Sequence, residues 1–132
     1  ILRAPGKMLL ASAGPLKPSN IMELGEARVE VLELPAKDGS VNLKKLLSAL
    51  GERGITSILV EGGGTILGSL FEQGLVDKVI AFVAPVVIGG EKAKTPVEGR
   101  GVDRMAQALR LSQVKVARSG EDVAISGYVR SE

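Results

Sequence analysis

"SILVEGGGTILGSLFEQGLVD", Ser57 to Asp77, sets one acid and three consecutive glycines between an aliphatic run and an amphipathic one. The run before Glu61 is apolar without alternation, the pattern of a strand covered on both faces in a parallel sheet. "TSILVE", Thr56 to Glu61, is therefore expected to be a buried strand. After the glycines, Ile66, Leu67, Leu70 and Phe71 recur at helical spacing, with Gly74 near the end of the helix they predict.

Ligands of open parallel sheets collect at the carboxyl ends of the strands, which is where Glu61 stands. The helix start behind it offers unpaired N–H groups and a partial positive charge, and glycines let a phosphate approach the backbone closely. This order of residues suits a diphosphate resting on Gly63 to Ser69, with the Thr65 and Ser69 hydroxyls as further donors. The spacing is neither the G-x-G-x-x-G of a dinucleotide fold nor a P-loop. A second reading therefore stays open on spacing alone. It is a tight strand-to-helix turn whose glycines supply unusual backbone angles, with Glu61 accepting bonds from the helix start.

Working outward, "SVNLKKLLSALGERG" places Leu43, Leu46, Leu47 and Leu50 on one helical stripe. Asn42 is positioned as its N-cap, Val41 can staple onto Leu46, and Gly54 ends it. A short strand is expected around Met8 to Ala11, and "ARVEVLEL", Ala27 to Leu34, is a strand rich in β-branched residues. Downstream, "DKVIAFVAP" is a third apolar strand. "VIGGEKAKTPVEGRG" is a surface loop. "LSQVKVARSGEDVAISGYV" is an antiparallel hairpin around Ser119-Gly120. The continuous alternation of strands and helices predicts an α/β fold: a mostly parallel sheet flanked by helices, closed by that C-terminal antiparallel hairpin.

Composition narrows the chemistry. The chain has 132 residues, 45% hydrophobic and 24% charged, with a net charge of +2. Aromatic residues make up 2%, which leaves little to stack on bases, so no nucleic-acid partner is expected. Histidine and cysteine are absent, which removes imidazole catalysis, thiolate nucleophiles and the usual zinc ligand sets. No metal site is expected. The lack of cysteine fits a cytoplasmic protein. The longest apolar run, Val79 to Ile88, is too short to span a bilayer and contains Pro85, so no membrane association is expected.

"ILVEGGGTILGSLFEQGLVDKVIAFVAPVVIGG" closely resembles the C-terminal reductase domain of the bifunctional riboflavin-biosynthesis deaminase/reductase family. The likeness extends to "LRAP", to "SVNLKKLLSALGERGITSILVEGGG" and to the closing "LSQVKV" and "GEDVAISGYV", covering essentially the whole chain. It implies a dihydrofolate-reductase-like fold. The implied reaction is an NADPH-dependent reduction of a ribosylaminopyrimidine 5′-phosphate, opening the ribose to a ribityl chain. By this resemblance Glu61 matches the family's substrate-contacting glutamate. Gly63, Gly64, Thr65, Ile66, Leu67, Gly68 and Ser69 match its cofactor diphosphate loop. A homodimer is implied, as is a deaminase domain in the parent chain, and superfamily members point to a cis Gly62–Gly63 bond.

The match also departs from the family. The family's reductase domain begins earlier than Ile1, with an opening strand carrying a Lys…Ser-Leu-Asp-Gly type motif. Its catalytic residues are expected there, so residues 1–132 are expected to form a single, N-terminally truncated reductase domain. Lys92 and Lys94 are read as part of a solvated loop rather than as contacts to the NADPH 2′-phosphate, and Arg3, close to a cofactor-contact region of the family, is not taken as a contact. Two rival readings are a dihydrofolate reductase, or another reductase of that superfamily, and a fragment that binds nucleotide without turnover. An aliphatic residue usually precedes the glycine pair of dihydrofolate reductase, and Glu61 holds that position here.

Overall fold

The computed structural model describes residues 7–26, 28–37 and 39–130. Arg3 and the "LRAP" stretch lie outside them. The chain divides into two compact units, Ile1–Ile58 and Leu59–Glu132.

In the first unit, strand β1 (Met8–Ala13) runs parallel to β2 (Val29–Leu34), in a register from Met8 opposite Val29 to Ala13 opposite Leu34. Helix α1 (Pro18–Glu26) connects them and packs on β2, so this is a β-α-β unit. Sequence reading missed α1, although Pro18 stands at its first position, where a missing N–H costs nothing. Among the described residues of this unit, Val29 and Leu34 are the buried apolar ones. A two-residue ladder follows, β3 (Ala36–Lys37) against β4 (Ser40–Val41).

Helix α2 (Leu43–Glu52) forms as its pattern dictates. The Asn42 side chain accepts from the Lys45 amide at 3.1 Å, and the leucine stripe is half-buried while Lys44, Lys45 and Ser48 are exposed. Its end is a Schellman turn: Gly54, at φ +78°, donates to Gly51 O at 2.9 Å, and Ile55 N reaches Leu50 O at 3.1 Å. Arg53 at that end pairs with Glu30 on β2 at 2.8 Å, a solvated bridge contributing less than about 1 kcal/mol.

In the second unit, helix α3 (Gly64–Glu72) is followed by β5 (Lys78–Val83), then by β6 (Leu111–Ser119) and β7 (Asp122–Val129). The three strands form an antiparallel sheet in the order β5-β7-β6. The expected hairpin is there, turning on Gly120 at φ +63° with Ser119 opposite Asp122. A bulge between Ser112 and Lys115 interrupts β6, with Gln113 at φ +50°. Gly127 lies buried beside it, where a Cβ would sit 2.9 Å from Leu111 Cβ.

The expected strand at Thr56 to Glu61 does not form: residues 55–63 join no ladder among the described residues. Ile58 and Leu59 are exposed by 45% and 76%. A non-alternating apolar strand requires a neighbour along each edge and cover on both faces, and the described residues supply neither. The parallel pairing observed is that of β1 with β2, and β5 pairs antiparallel with β7. Among the described residues no peptide bond is cis, so Gly62–Gly63 is trans, the form favoured by about 3 kcal/mol outside X-Pro bonds. No helix among the described residues is long and apolar enough to cross a membrane.

Candidate functional site

The glycine turn and α3 belong to one unit and are built by local rules. Gly63 is the N-cap, at φ −70° and ψ 168°, and no side chain caps this helix start. The Gly63 carbonyl accepts from the Ile66 and Leu67 amides at 3.1 and 3.2 Å. At the other end Gly74, at φ +64°, closes the helix in a second Schellman turn: its amide donates to Phe71 O at 3.1 Å, and Leu75 N reaches Leu70 O at 3.0 Å. Among the described residues, the amides of Gly62, Gly63, Gly64 and Thr65 find no acceptor in the chain. Consecutive free N–H groups at a helix start are an anion-binding arrangement.

None of Gly62, Gly63 and Gly64 has a positive φ, so unusual backbone angles do not account for them. Space is tight at two. A Cβ on Gly62 would lie 3.3 Å from Ile66 Cβ, and one on Gly64 would lie 2.7 Å from Glu98 Cγ. A Cβ on Gly63 would meet nothing within 4 Å. Gly63 is exposed, and the space in front of it belongs to no other part of the described chain. One turn further on, Gly68 is buried, and a Cβ there would collide with the Glu98 carbonyl oxygen.

Residues 98–100 therefore lie along α3. Glu98 N donates to Gly64 O at 3.1 Å, and Glu98 Oε2 accepts the Thr65 hydroxyl at 2.7 Å. Glu72 Oε1 accepts from Arg100 N at 2.7 Å, with Arg100 Nε at 3.9 Å. Gly99, at φ +107°, passes so near Glu72 that a Cβ would sit 2.6 Å from the same oxygen. The expected hydroxyl donors are thus engaged within the chain, Thr65 with Glu98 and Ser69 with Thr65 O at 2.9 Å. What remains for a ligand is main-chain N–H.

Sequence reading did not single out Glu98 or Glu72. Glu98 lies 33 residues from Thr65, and no local period links such positions. The one available signal was the pair Gly64 and Gly68, four apart on a helix, which allows another backbone to come close.

Glu61 stands immediately before the turn, exposed, and makes no ion pair among the described residues. Ile66 is 49% exposed, and Leu67 is half-buried. A cavity of about 400 Å³ in this unit is lined by Phe71, Asp77, Tyr128 and Arg130 among others, at the C-terminal end of α3. A second, of about 330 Å³, is lined by Leu10, Leu16, Asn20, Glu23 and Leu24. Neither is lined by residues of the glycine turn.

RibD of Acinetobacter baumannii superposes with a TM-score of 0.74 at 27% identity, over 92% of this chain and 31% of that one. The fold is the dihydrofolate-reductase-like α/β fold of the pyrimidine reductases. The family model described as RibD C-terminal domain matches residues 3–125, and the chain belongs to that family.

The riboflavin biosynthesis protein RibD of Actinobacillus pleuropneumoniae is 39% identical over 103 residues, covering 78% of this chain and 27% of that protein. The 2,5-diamino-6-ribosylamino-4(3H)-pyrimidinone 5′-phosphate reductase of Methanothermobacter thermautotrophicus is 35% identical over 127 residues, covering 96% and 56%. The chain thus spans between about a quarter and just over half the length of these two relatives.

Proposed function

We propose that this chain is the reductase portion of a riboflavin-biosynthesis enzyme, reducing the ribosyl group of a ribosylaminopyrimidine 5′-phosphate with NADPH. Membership of the RibD C-terminal family, and relatives that include a pyrimidinone phosphate reductase, support the reaction class. The observation that carries the cofactor reading is Gly63. A Cβ on either neighbouring glycine would crowd Ile66 or Glu98, whereas one on Gly63 would face open space beside unpaired amides.

The residues present fit a diphosphate at this turn. Gly63 and Gly64 would let it approach, the amides up to Thr65 would donate to it, and Ile66, Leu67, Gly68 and Ser69 would carry the helix whose positive end faces it. NADPH supplies the hydride when bound, so the chain needs no histidine or cysteine for that step. Glu61 stands before the phosphate cradle, exposed and without an ion pair among the described residues, and would contact the substrate.

The same reading places residues 1–132 in one reductase domain, working as a homodimer in the cytoplasm, with a deaminase domain in the parent chain. Its test is turnover by the full-length natural chain carrying this sequence. The reading predicts NADPH oxidation that depends on the phosphorylated ribosylaminopyrimidine. Oxidation driven by dihydrofolate instead would favour the rival superfamily reading.

A further inference from the structure

We infer that Glu98 is a positioning residue for the glycine turn, tying the first turn of α3 so that its free amides keep one arrangement toward the cofactor diphosphate. The inference rests on the cofactor reading above and adds to it a residue from outside the turn.

One residue makes three separate contacts with the helix. The Glu98 N–H holds the Gly64 carbonyl at 3.1 Å, the carboxylate takes the Thr65 hydroxyl at 2.7 Å, and the carbonyl packs where a Gly68 side chain would be. The helix has no side-chain cap of its own, because its N-cap is Gly63. Glycine is the residue with most backbone freedom to lose, and the sequence sets three of them in a row at this start. A tie from elsewhere is what restrains it.

The tie has a second anchor. Glu72, in the last turn of α3, accepts from Arg100 N at 2.7 Å, and Gly99 adopts the left-handed φ that lets the chain pass. Residues 98–100 thus run along α3 from Gly64 to Glu72, fixed at each end. None of these bonds uses the amides of Gly62 to Thr65. A turn already ordered gives up less freedom when a ligand binds, so such a tie raises affinity without touching the ligand.

The test uses the full-length natural chain with Glu98→Ala, Glu98→Gln and Gly68→Ala, each read in two ways. Amide hydrogen exchange of Ile66 to Ser69 is followed without ligand, and NADPH binding is followed by fluorescence titration. Loss of one hydrogen bond predicts about five-fold faster exchange and about five-fold weaker NADPH binding in Glu98→Ala. Glu98→Gln keeps an acceptor for Thr65 and should restore both. Gly68→Ala pushes the same segment away, so combining it with Glu98→Ala should cost less than the sum of the two.

Faster exchange with unchanged NADPH affinity would overturn the inference and leave the cofactor reading intact, because Glu98 would then be a structural tie only. Tighter NADPH binding by Glu98→Gln would also overturn it, since the charge would be opposing the ligand. Absence of NADPH binding in the unsubstituted chain would overturn the cofactor reading and the inference with it.

Discussion

The Thr65 hydroxyl donates to Glu98 Oε2 at 2.7 Å, joining two residues 33 positions apart and laying the segment before β6 against the first turn of α3. This contact separates the roles of the glycines. Gly64 and Gly68 make room for the chain's own Glu98, whereas a Cβ on Gly63 would meet nothing within 4 Å.

Gly63→Val should fold normally. Its φ of −70° and ψ of 168° are open to a β-branched residue, and a Cβ there meets nothing within 4 Å. The added side chain would occupy the space proposed for the diphosphate and weaken NADPH binding by about ten-fold or more, the effect of losing on the order of 1.4 kcal/mol. Thermal melting checks the fold and titration checks the binding. An NADPH affinity equal to that of the unsubstituted chain would contradict the cradle.

Two Gly→Ala substitutions inside helices should have opposite signs. Gly68→Ala collides with the Glu98 carbonyl oxygen, a backbone atom that moves only with its whole segment, and should destabilise by about 1–3 kcal/mol. Gly51→Ala, in α2 with nothing within 4 Å, should stabilise by about 0.4–1 kcal/mol by restricting the unfolded chain. Denaturant titration of both variants decides the matter; the same sign for both would show that contact with Glu98 is not what governs position 68.

Removing the Asn42 cap tests the clearest local prediction. Asn42→Ala deletes the bond from the Lys45 amide and should cost about 1 kcal/mol. Chemical denaturation would report it, with NADPH affinity as the quantity that should not move. A loss below a few tenths of a kcal/mol would mean the helix start draws its stability from the leucine stripe alone.

Glu61→Gln should harm turnover more than cofactor binding. The carboxylate precedes the turn, is exposed and is unpaired among the described residues, so it is free to meet a substrate. The expected pattern is a fall in kcat/KM for the pyrimidine of ten-fold or more, about 1.4 kcal/mol of transition-state binding, with NADPH affinity held. Equal loss of both would remove Glu61 from the substrate.

Much of this structure was legible from local pattern. The α2 leucines, the Asn42 cap, the Gly54 and Gly74 stops and the hairpin at Gly120 all follow from rules acting within a few residues. The strand expected at Thr56 to Glu61 was a different kind of inference. Its apolar run reports what the residues would bury, but pairing depends on neighbours that a local pattern does not name.

The site divided in the same way. The glycines and Glu61 were visible as a motif, yet the reason for each glycine was not. Both the steric demand at Gly68 and the acceptor for Thr65 come from Glu98, far along the chain. The bulge at Gln113, with Gly127 beside it, was hidden for the same reason, because the fit involves two strands at once.

The measurement that tests the central claim most directly is a fluorescence titration of NADPH and of NADH against the full-length natural chain, alongside its Gly63→Val variant. The account predicts saturable, NADPH-selective binding that the variant loses while remaining folded. No binding of either nucleotide to the folded, unsubstituted chain, or equal binding by the variant, would contradict a cofactor site at the glycine turn.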